Sequence, residues 1–104
     1  PWLANWHYSR ALRRFLGGEI EDGTECLLAA IRTHPWLVPH LGRVCGLDID
    51  GDSWLVSFDL PLLPVHDPLG AVREAIAKVY AARCGPLWKP ANVSLWLQGA
   101  IASA

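Results

Sequence analysis

At the centre of the sequence stands Cys45-Gly46-Leu47-Asp48-Ile49-Asp50-Gly51-Asp52-Ser53-Trp54-Leu55-Val56-Ser57-Phe58, and this stretch predicts a β-hairpin. An Asp-Gly pair accepts the positive φ angles of a two-residue type I′ turn. A turn at Asp50-Gly51 places alternate residues of both strands on one apolar face: Leu47, Trp54, Cys45, Val56 and Phe58. We therefore expect strands over residues 43–49 and 53–60.

Two helices are predicted before the hairpin. Apolar residues recur three and four positions apart over residues 3–16, which is typical of an amphipathic helix with one buried face. Gly17-Gly18 is expected to end this helix. A second helix is predicted over residues 25–33, with Thr24 as its N-cap, and His34-Pro35 is expected to end it because a residue before proline avoids the α region.

A third helix is predicted after the hairpin, with Asp67 as its cap, Pro68 at its first position and Gly85-Pro86 at its end. Its buried stripe is expected to consist of Leu69, Val72, Ile76, Val79 and Tyr80. A last strand is predicted over residues 93–98, where apolar and polar residues alternate. The resulting fold class is α+β in the order α-α-β-β-α-β, a three-stranded sheet with helices packed on one face, in one domain over residues 1–104.

Composition limits the class of protein. The chain has 104 residues, of which 52% are hydrophobic and 18% charged, and this balance excludes a disordered chain. The net charge of −1 provides no field that would recruit nucleic acid or an anionic membrane. Three widely spaced cysteines suit a reducing compartment. With no signal peptide or membrane span evident, we expect a cytoplasmic protein.

The function that the sequence favours is binding or assembly, because no catalytic set, metal-ligand spacing or cofactor motif is recognisable. Three apolar side chains are predicted on the sheet face away from the helices: Val44, Leu55 and Trp96. A face of this kind indicates a homodimer formed by sheet-to-sheet contact. The second candidate interface lies on the first helix and comprises Trp2, Trp6 and Arg10, which could contact a peptide, a nucleotide or another protein subunit.

Two alternatives remain open at this point. The chain could bind a small apolar ligand, or act as an enzyme, through a pocket between the helices and the sheet. The residues expected to line that pocket are Trp36, Trp54, Trp88, His34, His40 and His66. The chain could also be a component of a larger complex, a class that the sequence does not separate from the homodimer.

Overall fold

The computed structural model describes residues 2–58 and 68–104, with the side chains of residues 2, 3, 52, 55, 56 and 68–71 excepted. Within these ranges the chain forms helices and no β-strand. The helices are α1 (Trp2–Leu16), α2 (Ile20–Thr33), α3 (Val38–Val44), α4 (Gly51–Val56), α5 (Pro68–Trp88) and α6 (Ala91–Ser103), with a 3-10 turn at Pro35–Leu37. The prediction of an α+β fold with a three-stranded sheet is therefore wrong.

Helix α1 ends where the sequence predicts, at a pair of glycines. Gly18 has a φ of 90°, a conformation that glycine adopts without a steric penalty. The Glu19 N–H donates to the Arg14 carbonyl at 2.9 Å, and the Gly18 N–H donates to the Phe15 carbonyl at 3.1 Å. These two bonds form a Schellman motif, and the short connection turns the chain back into α2.

Helix α2 begins at Ile20, several residues before the predicted start. Thr24 is not its cap, because the Thr24 hydroxyl donates to the Ile20 carbonyl at 2.7 Å from inside the helix. Gly23 is buried where α2 crosses α1, and a Cβ added there would lie 2.9 Å from the Phe15 nitrogen. The two helices therefore pack backbone against backbone at this point. The helix ends at Thr33, before His34-Pro35, as predicted.

The first strand, predicted over residues 43–49, does not form, because these residues include the end of α3 and the turn that follows it. Gly46 has a φ of 82° and donates to the Arg43 carbonyl at 3.1 Å, while the Leu47 N–H donates to the Gly42 carbonyl at 2.8 Å. This is a second Schellman motif. Gly46 thus ends a helix at a position where the hairpin interpretation had placed it within a strand.

The predicted hairpin turn is instead the start of α4. The Asp50 carbonyl accepts the first helical hydrogen bond, from the Trp54 N–H at 2.9 Å. Asp50 therefore stands at the N-cap position of α4, and its carboxylate accepts a hydrogen bond from the Ser53 hydroxyl in the first turn at 2.9 Å. The second predicted strand is wrong for residues 53–58, and residues 59 and 60 lie outside the described range.

Helix α5 starts at Pro68, as predicted, but it continues through Gly85-Pro86 to Trp88; Asp67 lies outside the described residues. Gly85 allows α3 to approach, since a Cβ there would lie 3.1 Å from the Val44 side chain. The predicted buried stripe of α5 is also wrong in part. Val72 and Val79 are 45% and 52% exposed, and the side chains that face the core are Ala77, Tyr80, Ala81 and Trp88.

The last predicted strand lies within α6. Its buried residues, Val93, Leu97 and Ala100, follow the four- and three-residue spacing of a helix. Helix α6 packs on α2, while α3 and the 3-10 turn pack on α5. The fully buried Trp88 lies in the shared core, where its indole N–H donates to the Tyr80 hydroxyl at 3.3 Å. Among the helices of residues 2–58 and 68–104, none has the length and hydropathy needed to cross a bilayer.

Candidate functional site

Four rings form a continuous row along one side of the molecule, and we call them the ring row. They are Trp6 and His7 on α1, His34 just after α2, and Trp36 in the 3-10 turn. The Trp6 and His7 centroids are 5.1 Å apart, His7 stacks on His34 at 5.3 Å, and His34 meets the edge of Trp36 at 5.0 Å. These distances fall in the range of favourable aromatic contacts. The row therefore links three separate elements of the chain.

An arginine stands at each end of the ring row. The Arg10 guanidinium carbon lies 5.1 Å from the centre of the Trp6 ring, and the Arg73 carbon lies 4.7 Å from that of Trp36. A contact of this kind contributes about 0.5–1 kcal/mol at an exposed site. Trp6 nevertheless keeps 53% of its surface exposed. Tryptophan and arginine are enriched among the residues that dominate binding energy at protein interfaces.

His34, in the middle of the ring row, is fixed through its own backbone. His34 precedes a proline and has φ −131° and ψ 62°, and its carbonyl accepts a hydrogen bond from the Tyr8 hydroxyl at 2.9 Å. Both imidazole nitrogens of His34 are buried and lack a hydrogen-bond partner within the described part of the chain. Burial, together with the nearby His7 and Arg73, lowers the pKa of His34. The neutral imidazole is therefore favoured in the folded chain.

The structure brings together two members of the second candidate interface. Trp6 and Arg10 lie one helical turn apart and make the cation–π contact described above. The side chain of Trp2, the third member, is outside the described residues. The sequence reasoning missed His7 and Arg73 as members of the same surface. His7 adjoins Trp6 in the chain, but nothing in the sequence connects Arg73 on α5 with α1.

The first candidate interface does not form, because the sheet that would present it is absent from the described residues. Val44 lies in the contact between α3 and α5. Trp96 packs inward, stacking on Phe15 at 4.2 Å and donating its indole N–H to the Thr24 hydroxyl at 2.9 Å. The side chain of Leu55 is outside the described residues. The predicted homodimer through a sheet face is therefore wrong.

The predicted pocket between helices and sheet is wrong as well. Two of its tryptophans are used in packing. Trp88 is fully buried in the core, and Trp54 donates its indole N–H to the Pro35 carbonyl at 2.8 Å. The Nε2 of His40 lies 3.0 Å from the Glu74 carboxylate.

Three predicted pocket residues remain to be placed. Trp36 and His34 belong to the ring row, and His66 lies outside the described range. In the portion of the chain that the structure describes, no three His, Cys, Asp or Glu side chains are grouped closely enough to hold a metal ion.

Comparison with known proteins identifies the family. The sequence model of one family, described as Transcriptional repressor TCF25, matches residues 2–104. Because the match covers nearly the whole chain, the chain belongs to this family. Comparison with curated proteins and with solved structures gives no significant match.

Proposed function

We propose that this chain, as a member of the TCF25 family, is a helical protein-binding module that acts in transcriptional repression. The observation that carries the proposal is the family match over residues 2–104, since the family is described as a transcriptional repressor. A repressor acts on chromatin or on the factors bound to it, so the proposed location is the nucleus. This proposal replaces the cytoplasmic location that was expected because no signal peptide or membrane span is evident in the sequence.

The surface that we propose for protein binding is the ring row with its two arginines. Trp6 is half exposed although it is a large aromatic side chain, and burying it against a partner would remove apolar area from water. Arg10 can bind a carboxylate with its guanidinium while its charge remains over the Trp6 ring. A partner that covers this side would therefore gain both apolar contact and charge-assisted hydrogen bonds.

A tethering experiment tests this function. The chain would be fused to a heterologous DNA-binding domain and expressed with a reporter gene that carries the matching sites. We expect reporter output to fall below that given by the DNA-binding domain alone, and Trp6→Ala to restore it. Leu95→Ala is the matched control, because Leu95 is 68% exposed on α6. Undiminished reporter output with the wild-type fusion, expressed and nuclear, would overturn the proposal.

A further inference from the structure

An apolar groove lies between α1 and α5. It has a volume of about 250 Å³ and is lined by Asn5, Ala75, Ile76 and Val79. Val72, Ile76 and Val79 follow a spacing of four and three along α5, so they form one stripe on that helix. This is the stripe that the sequence pattern predicts to be buried, yet Val72 and Val79 are about half exposed. The fold thus leaves open an apolar stripe of the kind that normally packs against another helix.

The charges on the two helices that form the groove are unbalanced. Helix α1 carries three arginines and no acidic residue, and α5 carries Arg73, Lys78 and Arg83 with a single acidic residue. These helices hold six of the nine basic residues of the chain and one of its ten acidic residues. That acidic residue, Glu74, lies 3.0 Å from His40. The two helices that form the groove therefore carry an excess of positive charge although the net charge of the whole chain is −1.

From this combination we infer that the groove binds an acidic amphipathic helix of a partner protein. Apolar side chains spaced along one face of such a helix fill a groove lined by Ile76 and Val79, as in other helix-in-groove complexes. Carboxylates on the flanks of the bound helix face the arginines of α1 and α5, which favours acidic partners and repels basic ones. A nucleic acid matches the charge but has no apolar face for the groove. The inference rests on the proposed protein-binding function, and it adds to the ring row a second binding surface with a stated class of partner.

Peptides provide the direct test. The acidic probe is a synthetic helix of about 15 residues, the length of α1, with leucine every third or fourth position and glutamate at most others. The basic probe has lysine in place of each glutamate. In fluorescence anisotropy with the wild-type chain, we expect the acidic probe to bind more tightly than the basic probe by about tenfold or more, with an affinity that falls as salt is added.

Two substitutions locate the binding site on the protein. Val79→Lys adds a positive charge to α5 while it removes an apolar wall of the groove, so we expect the binding of the acidic probe to weaken about tenfold in spite of the added charge. Leu95→Lys, at a more exposed position on α6, should change the affinity by less than about twofold. Circular dichroism would verify that both variants remain helical.

Four results would overturn the inference: no binding of the acidic probe, unchanged affinity in Val79→Lys, equal binding of the basic probe, or displacement of the acidic probe by a single-stranded oligonucleotide. If the acidic probe fails to bind while the tethered chain still represses the reporter, only the groove assignment fails. If the probe binds at the groove while the tethered chain does not repress, only the role in transcription fails.

Discussion

The contact between α1 and α2 gives the sharpest prediction about stability, and Gly23→Ala is the perturbation that tests it. An added Cβ would lie 2.9 Å from the Phe15 nitrogen, 3.2 Å from the Phe15 Cα and 3.2 Å from the Ala11 carbonyl oxygen. All three are backbone atoms of α1. A side chain could rotate away from the new methyl group, but here the two helices must separate.

The magnitude is the difference between two opposing effects. Alanine in place of glycine inside a helix gains up to about 1 kcal/mol from propensity. Overpacking a tight contact costs about 1–3 kcal/mol, and three backbone contacts place Gly23 at the upper end of that range. We therefore expect a net loss of about 2 kcal/mol. In a domain of this size such a loss lowers Tm by about 10 °C.

The matched control is Gly99→Ala on α6. An added Cβ at Gly99 meets no atom within 4 Å, so only the propensity gain of about 1 kcal/mol remains. The two variants should therefore differ by about 3 kcal/mol in the free energy of unfolding, measured by urea titration followed by circular dichroism. If Gly23→Ala proved as stable as Gly99→Ala, the close crossing of α1 and α2 would be refuted.

Two further predictions concern aromatic side chains that are partly buried. Because burial lowers the pKa of His34, the unfolded chain binds a proton at a higher pH than the folded chain does. The free energy of unfolding should therefore fall as the pH drops through about 6.5. Urea titrations at about pH 8 and about pH 5 measure this loss, which His34→Gln should reduce. Because Trp96 stacks on Phe15 and donates a hydrogen bond to Thr24, Trp96→Ala should lower the free energy of unfolding by about 2–4 kcal/mol in a urea titration. A change near zero, as expected for a tryptophan on the surface, would contradict this packing.

The parts of the fold that the sequence predicts well are those with one strong signal and a clear end. Helix α1 has a regular apolar spacing and stops at Gly17-Gly18, and the helix and its end hold in the structure, although Leu16 at the end of the apolar face is 58% exposed. The predicted end of α2 before His34-Pro35 is also confirmed. Proline restricts the backbone of the residue before it whatever the tertiary context, so this signal is local.

The hairpin prediction failed because each of its signals has a second use. Asp50 and Gly51 suit a type I′ turn, but aspartate is also favoured at the position directly before a helix, which is where Asp50 stands here. Gly46 ends α3 with a positive φ, and only the hydrogen bonds of the folded chain show this. Short apolar runs do not distinguish the two-residue period of a strand from the 3.6-residue period of a helix. Val93 and Leu97, four positions apart, fit both.

The candidate surface could be predicted only in part. Trp6 and Arg10 are one turn apart on α1, so local periodicity places them together. The rest of the ring row depends on how α2, the 3-10 turn and α5 dock on α1, and this involves residues far apart in sequence. The open stripe on α5 is visible as apolar spacing, but the sequence does not show that the stripe faces away from the core.

The backbone Cα chemical shifts of residues 91–98, measured by NMR on the 104-residue chain, test the helical account most directly. A helix moves these shifts downfield of their random-coil values and a strand moves them upfield. The structure predicts an uninterrupted downfield run over this segment, since all of it lies in α6. An upfield run over residues 93–98 would restore the strand and contradict the arrangement of helices from which the groove and the ring row are derived.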